Sequence, residues 1–152
     1  MCGPNVEAFL LGVLDGDGTL DGPAVRLLVL AHAGTPGVLQ RTTSIIDAQT
    51  SQPLTNEQLI LKCFRGWPTE VQAGREPSVA AWRSTIKQPE AWTDLAFLQL
   101  LIDAKSVAAE LHGVDDHSAL HHLGHVLPCD GRAPRATIDI SVWMSRHFVA
   151  HR

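Results

Sequence analysis

The chain has 152 residues, 45% of them hydrophobic, with 12 basic against 16 acidic side chains and a formal net charge of −4. One domain spanning residues 1–152 is expected, long enough to bury a core without staples, and the mildly acidic balance argues against a nucleic-acid or membrane surface. No apolar run reaches the roughly 18 residues of a membrane span, the opening residues do not form a signal peptide, and cysteines without CxxC spacing point to a reduced, intracellular, cytoplasmic setting.

Val6, Phe9, Leu10, Val13 and Leu14 recur at the spacing of one helix face, and Pro4 suits a first helical turn, so a helix is predicted to about Leu14. Asp15-Gly16-Asp17-Gly18-Thr19-Leu20-Asp21-Gly22 is loop chemistry. Pro23 to Ala33 fits a short helix or a buried strand, and Gly34-Thr35-Pro36-Gly37 is a turn. The β-branched stretch Val38 to Ala48 predicts a strand. Thr55-Asn56-Glu57-Gln58 is a capping box opening a helix to about Phe64. Trp67 to Pro77 reads as loop, and Ser78 caps a short helix through Ile86. Thr93-Asp94 introduce the longest predicted helix, with Phe97, Leu101, Ala104, Ala108 and Leu111 on one face and Gly113 as its C-cap. A polar stretch with several histidines follows. Thr137 to Val142 alternates strictly and predicts a half-buried strand; Met144-Ser145-Arg146 turns the chain into a last strand, His147 to Ala150.

Cys2 stands at the head of the first predicted helix, where the positive end of the helix dipole favours a thiolate. A thiol nucleophile needs a base, and His147 is the candidate. Cys63 falls with Leu59 and Ile60 and reads as structural, whereas Cys129, in a predicted loop, reads as a surface thiol. His117, His121, His122 and His125 include i, i+4 pairs, but no carboxylates stand beside them in obvious geometry. They read as a solvated polar face, and no metal or other cofactor is expected.

In its order of parts the sequence resembles the ovarian-tumour (OTU) branch of the papain-like cysteine proteases. The parts are a Cys-headed helix, a helical middle, a Trp-led helix, an Ile-x-Ile strand and a His-aromatic pair. Ser78 to Ile86 is similar to the family's short helix before its tryptophan. Glu90 to Leu101 resembles its Trp-Gly-x-x-x-Leu-x-x-Leu-Ala segment without the glycine, and Ala136 to Val149 resembles its last two strands. Where the family carries Asp-Gly-x-x-Cys the given sequence has Met1-Cys2, and Val149 stands at the position of the family's polar third residue.

The resemblance implies an α+β, papain-like/OTU-like fold with a helical lobe packed on a small antiparallel sheet. It implies a cysteine protease or isopeptidase, a deubiquitinase-like thiol hydrolase acting on ubiquitin, a ubiquitin-like modifier or a polyprotein. Cys2 and His147 would be the catalytic pair, with Asn5, Asp139 or His151 orienting the imidazole, and Trp92 and Trp143 would wall a channel for an extended Gly-Gly tail. An inactive protease-like binding module is the alternative. Narrower resemblances compete. Asp15-Gly16-Asp17-Gly18-Thr19-Leu20 is similar to the signature of haloacid-dehalogenase-type phosphatases, with Asp15 and Asp17 as acceptor and acid. His125 followed by Asp130 or Asp139 is similar to a bacteriocin-leader-type peptidase, and Met1-Cys2-Gly3 to N-terminal-nucleophile amidotransferases.

Overall fold

The computed structural model describes residues 3–89, 91, 93–114, 120–143 and 147–150; within these, the side chains of residues 3, 69, 70, 114, 120, 121, 142, 143 and 147–150 are not described. Helices α1 (Gly3–Asp15) and α2 (Gly22–Ala33) pack side by side at the start of the chain. α2 is a helix rather than a strand because Asp21 caps it, its carboxylate accepting from the Ala24 N–H, and Pro23 sits in its first turn. A single 3₁₀ turn at Val38–Gln40 leads into β1 (Thr42–Ile46), which pairs antiparallel with β2 (Pro53–Thr55). The predicted strand from Val38 is therefore only its second half. The capping box is present as read: Thr55 accepts from the Gln58 N–H, Gln58 accepts from the Thr55 N–H, and α3 (Asn56–Arg65) follows.

The stretch read as loop contains a short helix, α4 (Thr69–Gln72), before α5 (Val79–Ile86) and α6 (Leu95–Lys105). From Ala96 to Asp103 every residue of α6 is buried, with α2 and α3 packed against it. This helix is the centre of the molecule, and Trp82, Phe64 and Phe97 complete the core around it.

α6 stops eight residues short of the predicted end at Gly113. Ser106 turns left-handed at φ 53°, and its N–H and that of Val107 close the helix on Asp103 and Ile102. Ala108–Val114 is β3, and the histidine-bearing stretch Leu120–Val126 is β4. With β5 (Thr137–Trp143) and β6 (His147–Ala150) they form a four-stranded sheet in the order β4-β3-β5-β6. The sheet is not wholly antiparallel, since the central pair β3 and β5 is parallel, Ala108 facing Thr137 and Val114 facing Trp143. The register between β3 and β4 slips at Leu111/His112, where Gly124 adopts φ 141°, a value that favours glycine. Ala109, Val126, Ile138 and Ile140 point into the core, while Glu110, His122 and Asp139 stand on the outer face. Among the described residues no helix is long and apolar enough to cross a membrane.

Candidate active site

α1 packs on α2 and on the edge strand β6. The helix that Cys2 leads into therefore lies against the strand that carries His147, although these stand at opposite ends of the sequence. Cys2 itself lies outside the described residues. His147 occupies the first position of β6, opposite Trp143 on β5, and the side chains of both lie outside the described set. Trp92 also lies outside it.

Asn5 is exposed on the first turns of α1 and abuts Gly22: a Cβ placed there would fall 2.4 Å from Asn5 Oδ1. The same Cβ would lie 3.6 Å from the Asn5 backbone nitrogen, an ordinary contact, so it is the Asn5 side chain and not the α1 backbone that uses the space at Gly22. Asp139 lies four residues back along β5 from Trp143, the partner of His147, which is about 13 Å of strand. Its carboxylate sits 3.3 Å from His112 Nε2 on the outer face. Asn5 thus stands on α1, which packs against β6, and Asp139 lies away from the start of β6.

α1 turns only part of the predicted face inward, Val6 fully and Leu10 in part. Val6, Ala8 and Leu11 are buried, whereas Phe9, Val13 and Leu14 are exposed, Val13 by 69%. Apolar residues stand on nearly every side of this helix, so its period does not single out one stripe. Glu7 is wholly buried, and neither carboxylate oxygen has a hydrogen-bond partner. Burial pushes its carboxyl well above the usual range, and Asp94 adds to this while Arg26 opposes it.

Arg26, from α2, donates to the carbonyls of Ile86 (3.0 Å), Pro89 (3.2 Å) and Ala91. Asp94 caps α6 by accepting from the Phe97 N–H, and its other oxygen accepts from the indoles of Trp67 (3.0 Å) and Trp82 (2.9 Å). An open groove of about 560 Å³ runs from Pro4 and Asn5 along Leu27 and Leu30 of α2 to Lys87, Pro89 and Ala91. It begins within three residues of Cys2.

The other two cysteines are unsuited to attack. Cys129 is fully buried, not a surface thiol, because Asn56 Nδ2 (3.4 Å) and Gln99 Nε2 (3.6 Å) enclose its sulfur and Asp103 holds its N–H. Burial, with the Asp103 charge behind it, pushes this thiol up to about 11. Cys63 is half-buried and burial pushes it up to about 12. Both stay protonated at neutral pH, and the thiolate is the nucleophile.

The competing sequence readings lose their geometry. Asp15 ends a helix and is held by Arg135 (2.7 and 3.1 Å), and Asp17 binds the Thr19 N–H and hydroxyl in an exposed turn. Hydrogen bonds from Arg135 and Thr19, respectively, hold these carboxyls below the usual range. Neither stands at the end of a parallel strand, so the phosphatase reading is overturned. His125 lies on β4, the edge of the sheet opposite β6, far from the partner strand of α1. The i, i+4 spacing of the histidines falls on a strand, not a helix; His117 and the side chain of His121 lie outside the described residues, and His122 pairs with Glu110 at 2.6 Å. Among the described residues no group of His, Cys, Asp and Glu is arranged to hold a metal.

The sequence did not reveal a buried carboxylate, Asp103, that gathers His32 (2.5 Å), Arg41 (2.8 Å) and Arg132 (3.3 Å) from three separate segments. Nor did it flag Glu7 with Arg26. The one available signal was a lone acid at an otherwise apolar helix position in each case.

No protein-family model matches the chain, and no curated protein matches it. Among solved structures it is similar to the viral OTU domain protease from Dera Ghazi Khan virus, with a TM-score of 0.54 and 6% identity over 100% of this chain and 78% of that one. The OTU domain of OTUD1 also aligns, with a TM-score of 0.49 and 16% identity over 99% of this chain and 80% of that one. At such identity the likeness concerns the fold: this chain has an α+β, OTU-like fold of the papain-like kind.

Proposed function

We propose that the chain is a cysteine protease of the OTU-like class that cuts a peptide or isopeptide bond, with Cys2 as nucleophile and His147 as general base. The observation that carries this reading is the packing of α1 against β6 within an OTU-like fold. The raised thiols of Cys63 and Cys129 support it by leaving Cys2 as the available sulfur.

In this mechanism His147 takes the Cys2 proton and the thiolate attacks the carbonyl carbon. The C–N bond breaks with proton return to the leaving amine, and water then releases the acid from the acyl-enzyme. Asn5, on the helix that packs against β6, would orient the base, while the Asp139 carboxylate faces His112 on the outer side of the sheet. Trp92 and Trp143 would wall the approach of an extended tail, and ubiquitin, a ubiquitin-like modifier or a polyprotein is the proposed substrate.

The test is reaction with ubiquitin carrying a C-terminal cysteine trap. Labelling is expected, with loss in Cys2→Ala and retention in Cys129→Ala. Loss in Cys129→Ala alone would overturn the choice of cysteine. Binding without labelling would convert the reading to a protease-like recognition module.

A further inference from the structure

The polarity of α2 is inverted. Its two polar side chains both turn inward: Arg26 is 8% exposed and donates to the carbonyls of Ile86 and Pro89, and His32 meets the buried carboxylate of Asp103. The positions it exposes are apolar. Pro23, Leu27 and Ala31, at i, i+4 and i+8, form one outward stripe, bordered by the partly exposed Ala24 and Leu28. Leu27, at 70%, is the most exposed large apolar side chain among the described residues. A surface helix ordinarily turns its charged and polar residues outward, and a helix apolar on every side is one that further protein covers.

Two features of this face select its cover. The first is charge. The stripe holds no charged side chain, although the chain carries a formal net charge of −4. Two copies can therefore meet here without setting like charges against each other. Depletion of charge also marks the core of homodimer interfaces. A membrane surface does not fit, because an interfacial helix borders its apolar face with lysine and arginine, and α2 exposes neither.

The second feature is shape. The stripe is a ridge, and beside it runs the open groove of about 560 Å³ lined by Leu27, Leu30, Pro89 and Ala91. A contact about a two-fold axis needs both halves of the fit on one surface, and this surface has them. α2 has 12 residues, Gly22–Ala33, and Leu27 stands at its middle. Antiparallel pairing about that point lays the two stripes side by side, each against the other's groove, with Leu27 beside its own counterpart.

We propose that the outward face of α2 is a self-association surface, on which a second copy of this chain docks about a two-fold axis at Leu27. One helix about 18 Å long and the groove beside it make a contact at the small end of the interface range, so pairing is reversible, with a Kd on the order of 10 µM. The pairing needs neither Cys2 nor His147 and stands apart from the protease reading.

Sedimentation equilibrium of the whole chain between about 1 and about 200 µM brackets this constant. The mass should rise from that of one chain toward that of two. Leu27→Glu and Leu27→Lys should each stay at the mass of one chain, because the axis brings like charges together. Mixed in equal amounts they should pair again, glutamate against lysine. Ile46→Glu puts the same charge on another exposed apolar position, on β1, and should pair as the wild type does. Leu27 is exposed, so its variants should keep the fold, which circular dichroism checks; Ala31→Glu, on the same stripe, takes the place of one that does not.

A wild type at the mass of one chain over the whole range would overturn the proposal, as would Leu27 variants that pair alone. Charged variants that stay apart when mixed would remove the axis at Leu27, and the proposal with it. A mass climbing past two chains would show an open head-to-tail contact instead. Loss of trap labelling in Leu27→Glu, in a chain that never pairs, would give the groove to a substrate.

Discussion

His32 Nε2 lies 2.5 Å from Asp103 Oδ2, and the same oxygen takes Arg41 at 2.8 Å. The other oxygen accepts from Arg132 and from the Cys129 N–H, so one buried carboxylate ties α2, the start of β1, α6 and the Cys129 turn together. Burial raises this carboxyl, but the His32 and Arg41 contacts outweigh it and leave it below the usual range. A depressed acid contributes stability above its unfolded value and loses it as pH falls through the folded one. Acid unfolding should therefore begin below the ordinary aspartate range near about 4. Asp103→Ala should cost about 3–5 kcal/mol in chemical denaturation, because it strands two arginines and a buried N–H. A loss under about 1 kcal/mol would show that the hub is solvated.

Glu7 has the opposite sign. Its folded value is raised, so the folded state holds a proton that the unfolded chain gives up. Stability should decline with rising pH from about 4.3 upward, by at most about 1.4 kcal/mol per pH unit, until the folded value is reached. Glu7→Gln should flatten this slope in denaturation midpoints measured across the range. An unchanged slope in the variant would assign it to other groups.

The thiols should separate by reactivity. With Cys63 at about 12 and Cys129 at about 11, brief alkylation at neutral pH should modify neither in the folded chain and both after unfolding. Cys2 should react first. Peptide mapping that finds Cys129 modified in the native state would contradict its burial.

Trp82 is wholly buried with its indole on Asp94, so Trp82→Ala should cost about 3–5 kcal/mol of stability. Trp143→Ala should instead raise KM or lower kcat beyond what its lost stability accounts for. Equal proportional losses of stability and turnover in the two variants would make both tryptophans core residues only.

Local signals carried much of the fold. The Thr55 capping box, the Ser78 cap and the alternation of β5 stand where they were read, because each is decided by neighbours within a few residues. The end of α6 was misread because Ala108 and Leu111 continue its spacing. Val107, Ala108 and Ala109 are all buried, so no polar alternation marks the new strand. β4 went unseen for the converse reason. It is an edge strand with His122, Leu123 and His125 exposed, and its sequence shows no stripe. In the candidate site, the helix headed by Cys2 and the strand headed by His147 were legible. The hold of Arg26 on the carbonyls of Ile86, Pro89 and Ala91 was not, since these stand about sixty or more positions away along the chain.

The contact between α1 and β6 also has a consequence for biosynthesis. Synthesis runs from the N-terminus, so α1 emerges from the ribosome long before the strand it packs against. Pairing segments this distant in sequence requires closing a long loop, a slow step in folding. Until residue 150 has left the exit tunnel, α1 has α2 beside it but not β6, and the edge of β5 stays open. A chain cut short before β6 would thus lack the strand that α1 packs against and that carries His147.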